Sequence, residues 1–231
     1  MCAQIGGVRL KKIIPIALFF LLGVLVCAVV LFTILGIRSS DSFQAARTAA
    51  RQQQAASNYT AEAEESRNAE LLRLSEEVVQ CIRAQDYVGL SQYVHPEYGV
   101  TFSPYSNVDF SVCQQFTAAQ VAAFGSDSTV YRWGSVAGSN DVISMTPAAY
   151  FARFVFDVDF SQAPIAGFNY IVRSGNTLEN VKDVFADAQF VDLYYPGTQP
   201  EQADWRILRL VFEDSGGAWK LSAVIHNEAT V

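Results

Sequence analysis

Apolar residues run almost unbroken from Ile13 to Ile37, thin out over residues 38–69, recur at helical spacing from Leu71, and alternate strand-fashion in the last third. The first run carries no charge and follows Arg9, Lys11 and Lys12. At about 1.5 Å rise per residue it reaches across a hydrocarbon core of roughly 30 Å, which predicts a transmembrane helix. A signal peptide, or a lipoprotein centred on Cys27, is the other reading. The run outlasts a secretory apolar core, and Val26 stands where a lipoprotein places a small residue. The basic flank stays cytoplasmic, so residues 1–12 form an inner tail and the rest lies outside.

Residues 38–69 are rich in Ala, Gln, Glu and Arg, without Gly or Pro after Ile37, which predicts a helical stalk or linker. Asn58-Tyr59-Thr60 fits a glycosylation sequon. From residue 70 to 231 the pattern is that of one folded domain. Leu71, Leu74, Val78, Cys81 and Ile82 form one helix face, and a second helix after Asp86 buries Leu90 and Val94. Strands are expected at 99–103, 129–133, 165–173 and 190–195. Thr117 with Gln120 makes a capping box, with Phe116 and Val121 as its hydrophobic staple. Thr146 caps a helix that starts with Pro147. Asn176 with Glu179 caps another short helix through Phe185. Residues 205–213 and 218–226 read as a hairpin across Asp214-Ser215-Gly216-Gly217.

Charge is uneven. Residues 1–40 carry four basic and no acidic side chains, residues 41–79 four and seven, and residues 80–231 eight and sixteen, which sums to the net −7. An outer domain this acidic is repelled by nucleic acid and by anionic lipid, so neither is expected as its partner. Cys81 and Cys113 can pair if their Cα atoms approach within about 7 Å, or stay as buried thiols.

The order of helices and strands resembles the NTF2-like (cystatin-like, SnoaL-like) α+β cone, a curved, mostly antiparallel sheet packed on helices. The segments HPEYGVTFSPYSNVDF (95–110), YRWGSVAGSNDVISMTPAAYFARFVFDVDF (131–160), NTLENVKDVFADAQFVDLYYPG (176–197) and DWRILRLVFEDSGGAWKLSAVIHNEATV (204–231) resemble a family of bacterial membrane-anchored envelope proteins without an assigned activity. The chain departs from that family at Ala229-Thr230, where Trp-Thr is expected. The resemblance implies a fold and an extracytoplasmic address, and no reaction. The arrangement of one membrane helix and an outer domain of this fold also resembles the scaffold subunits of type IV secretion and Gram-positive conjugation systems. It implies a cell-envelope binding or scaffold module that meets itself or other envelope proteins, without catalysis and without a cofactor.

The alternative is a small-molecule carrier or pocket enzyme with an Asp/His acid–base pair. Its catalytic candidates are Asp157, Asp159 and His226, and its pocket candidates are Tyr98, Phe102, Trp133, Tyr150, Phe154, Tyr194 and Arg206. Against it, paired aspartates commonly cap turns, and large aromatic residues commonly form core. His95 with Glu97 and His226 with Glu228 each place an imidazole and a carboxylate on one strand face. A metal site would need both pairs together. The resemblance implies parallel first and last strands with the pairs at opposite ends, so no metal is expected. The plain reading keeps both histidines hydrogen-bonded near the surface. On a strand Arg206 and Arg209 face opposite ways. The more buried one needs a carboxylate, with Asp192, Asp157 and Asp159 as candidates.

Overall fold

The computed structural model describes residues 13–139, 141–200 and 203–229; within the first helix, side chains are described at residues 26, 27, 30 and from 44 onward. Helix α1 (Ile13–Ala84) is the first element. The chain divides into two compact units, one ending at Ala63 and one beginning at Glu64. Among the described residues no helix is long and apolar enough to cross a membrane. The predicted anchor, residues 13–37, lies within α1, with side chains described there only at Val26, Cys27 and Val30, and the basic tail and Cys2 lie outside the described residues.

In the first unit, residues 44–63 are exposed on every face of the helix. The sequon lies within it. The Thr60 hydroxyl donates back to the Ser57 carbonyl at 2.8 Å, and Asn58 accepts from Gln54 at 2.9 Å.

The second unit is α+β with a mixed, curved sheet. Its helical start buries Leu71, Leu74, Val78, Val79 and Ile82, the spacing expected of one face meeting a core. Gln85 stops the helix in the left-handed conformation, φ 54°. Helix α2 (Tyr87–Ser91) follows, with Asp86 accepting from the Gly89 amide.

Next come β1 (Val100–Ser103), β2 (Gln114–Phe116), α3 (Ala118–Ala122), β3 (Tyr131–Ser135) and β4 (Val142–Met145). Helix α4 (Pro147–Tyr150) continues into a π turn at Phe151–Val155, and a 3₁₀ turn occupies Phe160–Gln162. The chain closes with β5 (Ile165–Phe168), α5 (Val181–Val184), β6 (Gln189–Tyr195), β7 (Arg206–Asp214) and β8 (Trp219–Glu228). The main sheet runs β2-β1-β8-β7-β6-β5, with β3 and β4 as a separate ribbon. β1 and β8 are parallel and the other neighbours antiparallel.

The capping box at Thr117 and Gln120, the Thr146 cap with Pro147 behind it, and the final hairpin stand as the sequence predicts. Three expectations need correction. The strand predicted over 165–173 ends at Phe168. Asn169 turns there at φ 52°, and its side chain takes over the bonding to Gln189 and Phe190. The short helix begins at Val181 with Asn180 before it and no side-chain cap, because Glu179 is engaged elsewhere. Strands β2 and β4 were not anticipated.

The sheet is covered on both faces. On one face, α1, α2 and the aromatic side chains from 102 to 160 form the main core. On the other, Val181, Phe185, Phe190, Val211, Ala223 and Ile225 form a second apolar layer, and Tyr194, Trp205 and Ile207 a third. The chain's own 169–188 segment therefore occupies a face that a bare curved sheet would leave open.

Candidate functional site

The interior of the main core is where a pocket would lie, and aromatic rings fill it. Phe102 is fully buried and has Phe151 at 5.4 Å and Phe124, Trp133 and Tyr150 each at 6.0 Å between centroids. Trp133 stacks on Tyr150 at 3.8 Å and 13°. Its indole N–H donates to the Met145 carbonyl at 2.8 Å, so the unanticipated β4 supplies the partner that a buried tryptophan needs.

The predicted pocket residues consequently do not converge on a cavity. Phe102, Trp133, Tyr150 and Phe154 are core, held by edge-to-face and stacked contacts. Tyr98 is exposed and stacks on His95 at 4.4 Å. Tyr194 lies on the opposite sheet face, in the cluster with Trp205 and Ile207, and its hydroxyl accepts from Arg173 at 3.0 Å.

Two of them reach the catalytic candidates, Arg206 through an ion pair and Phe154 by an edge-to-face contact with His226 at 5.7 Å. Register places Arg206 beside Glu228 and Leu208 beside His226, all on the core face at one end of β7 and β8. Asp157 arrives from the turn after the π segment. Arg206 Nε donates to Asp157 Oδ2 at 2.6 Å, and Arg206 Nη2 lies 3.3 Å from Glu228 Oε2. Arg153, carried by the π turn, donates to Glu228 Oε1 at 2.6 Å. His226 is fully buried, with Nδ1 3.2 Å from the Pro104 carbonyl and Nε2 3.3 Å from Asp157 Oδ2. A neutral imidazole donates to one of those oxygens, whereas the imidazolium donates to both.

Burial pushes the Asp157 carboxyl up. The hydrogen bonds and charges of His226 and Arg206 outweigh it and hold the group below the usual aspartate range. Its Oδ1 is buried without a hydrogen-bond partner among the described residues.

Donor atoms of Asp157, His226 and Glu228 lie within 4.8 Å of one another, a spacing compatible with a metal. The guanidiniums already occupy that space. Asp157 Oδ2 is bound by Arg206, and both Glu228 oxygens face arginine nitrogens, so a cation entering here would have to displace Arg206 or Arg153. The His95 pair is remote, because β1 and β8 are parallel and His95 pairs at the Leu221 end of β8. Both histidines are buried, contrary to the surface placement expected for them. His95 Nδ1 accepts from the Glu97 and Tyr98 amides, a turn that needs the ring inside.

Asp159 caps the 3₁₀ turn through the Ser161 amide at 3.1 Å and takes no part in the cluster. Cys81 and Cys113 are both free. The disulfide considered for them does not form, since Cys81 packs against the main core and Cys113 against the layer on the other face of the sheet.

Arg209, also on β7, points to that other face. It bonds Asp192 with two nitrogens, at 2.5 and 3.0 Å, and Glu179 Oε2 at 2.7 Å. Glu179 also accepts from Asn227 at 2.9 Å. Arg153 and Glu179 were not singled out from the sequence as charge partners. Each partners a residue 30 or more positions away, and only strand register reveals that.

An opening lies elsewhere, between the 72–80 stretch of α1 and the β5–β6 end of the sheet, a half-open groove of ≈ 510 Å³. The sequence matches no known protein family and no curated protein.

Proposed function

We infer that the chain is a single-pass, membrane-anchored binding or scaffold module whose folded part works through its outer surface. In this reading residues 13–37 sit in the membrane with the amino terminus inside, residues 38–69 form a stalk, and the outer domain is an NTF2-like cone with its interior filled. The observation that carries the reading is the packed interior. Trp133, Tyr150 and Phe102 occupy the space in which a pocket enzyme would hold its substrate. Burial of rings this large favours a rigid platform over a cavity. The resemblance described above supplies the envelope address.

The test uses the full chain in its native membranes, with a photoreactive residue at exposed Val130, Tyr170 or Leu178 in turn. The reading expects a chain that resists carbonate extraction, is cut by external protease, and gives a discrete protein adduct from at least one face. A carbonate-released chain, or one without an adduct from any face, overturns it.

One observation favours the acid–base reading, the contact between His226 and Asp157. That pair is enclosed, with the carboxylate held by Arg206. The rival requires a small-molecule turnover that His226→Gln abolishes while the fold survives.

A further inference from the structure

The groove beside β5 has a composition that selects an occupant. Its floor is apolar, from Val79, Phe160 and Leu193, and its width comes from two small side chains, Ala163 and Ala166. The charged residues among those lining it are Glu76 and Glu77, with no lysine or arginine. Glu77 is spent on Arg73, at 2.7 Å, and on the Tyr93 hydroxyl, at 3.1 Å. No ion pair engages Glu76 among the described residues, and its side chain is exposed. At the Ser161 end, Arg83 and Asp159 face each other at 4.0 Å and balance.

β5 is the terminal strand of the sheet, and its outer edge pairs with nothing among the described residues. Ala166 faces the helix side of the sheet, where it packs against the main core. A strand added along β5 would therefore send alternate side chains into the groove and bond its backbone to the open edge. A closed small-molecule site buries most of its ligand, whereas this groove is open along one side.

We propose that the groove between α1 and β5 binds an extended polypeptide segment, apolar with a lysine or arginine at the Glu76 position, added as a further strand to the sheet. This rests on the binding-module reading and names its docking face. The floor takes the apolar side chains of the segment. Glu76 pairs with its cation, and the acidic character of the domain steers it in.

The experiment uses the full chain in mild detergent and a labelled, end-capped hexapeptide alternating valine and lysine, followed by fluorescence anisotropy and amide hydrogen exchange. The valine–lysine peptide binds, and its valine–glutamate counterpart does not. Glu76→Lys, at an exposed position, weakens binding by about tenfold or more. Ala163→Phe fills the groove and removes binding while the melting temperature is kept. Bound peptide slows exchange at the β5 amides. The proposal is overturned by equal binding of the two peptides, by affinity indifferent to both substitutions, by binding without β5 protection, or by a groove that takes butylammonium and refuses the peptide. If the photo-adduct in native membranes persists unchanged in Glu76→Lys, the binding module stands and the groove assignment fails.

Discussion

Arg206 and Arg209 leave the same strand in opposite directions, and the two faces of the sheet treat them differently. Arg209 is 1% exposed, and two carboxylates, Asp192 and Glu179, close around it. Asp192 comes from the neighbouring strand β6, and Glu179 from the 169–188 segment that covers this face. Arg206 is 22% exposed and belongs to a looser group in which a buried histidine, two carboxylates and a second arginine share contacts. The first face holds its charge as a permanent clamp across β6 and β7. The second spreads its charge over a network of shared, partly exposed contacts. A buried ion pair gains little over an apolar pair of equal shape, yet breaking it on one side is costly, because the remaining charge is stranded.

The largest effect expected is at Arg209. Arg209→Met leaves Asp192 and Glu179 buried without their cation and lowers stability by about 3–5 kcal/mol in chemical denaturation. Adding Asp192→Leu to that variant recovers part of the loss. If the double variant is less stable than the single one, the clamp description fails. Next comes Arg206→Ala, which uncovers Asp157 and costs about 1–3 kcal/mol by the same measurement. A loss equal to that at Arg209 would erase the distinction between the two faces.

The pH dependence sharpens the comparison. Asp157 is held below its ordinary value in the fold. Its contribution is therefore fully present above the unfolded aspartate value of about 3.9 and is lost as pH falls through the lowered folded value. Asp157→Asn should flatten the stability–pH curve in that acid window and leave the neutral range parallel to wild type. An unchanged acid limb would show that Asp157 does not titrate with folding. The smallest effect is expected at Arg153, whose side chain is 46% exposed; Arg153→Ala should cost about 0–1 kcal/mol.

The same contrast explains which parts of the molecule could be read before folding. The hairpin of β7 and β8, the Thr117–Gln120 box and the Thr146–Pro147 start are written in neighbouring residues, so local chemistry suffices. The opposed facing of Arg206 and Arg209 follows from strand alternation alone, and Asp192 and Asp157 were among the carboxylates named for them. The second carboxylate on Arg209 was not legible. Glu179 looked like a helix cap, but a buried guanidinium outcompetes a helix end for it. β4 carries a short, half-exposed pattern that becomes a strand because Trp133 and β3 need its backbone. The pocket failed for a related reason. A list of aromatic residues does not reveal whether they line a space or fill it, since that depends on contacts such as the Trp133–Tyr150 stack.

The filled interior is the claim on which the functional reading rests, and ligand-induced thermal shift with indole tests it directly. Wild type should show no stabilisation, whereas Trp133→Ala, which opens an apolar cavity, should melt lower and regain part of the loss when indole is added. Stabilisation of the wild type by indole, removed by Phe102→Trp, would place an open pocket inside the α+β domain and contradict the account.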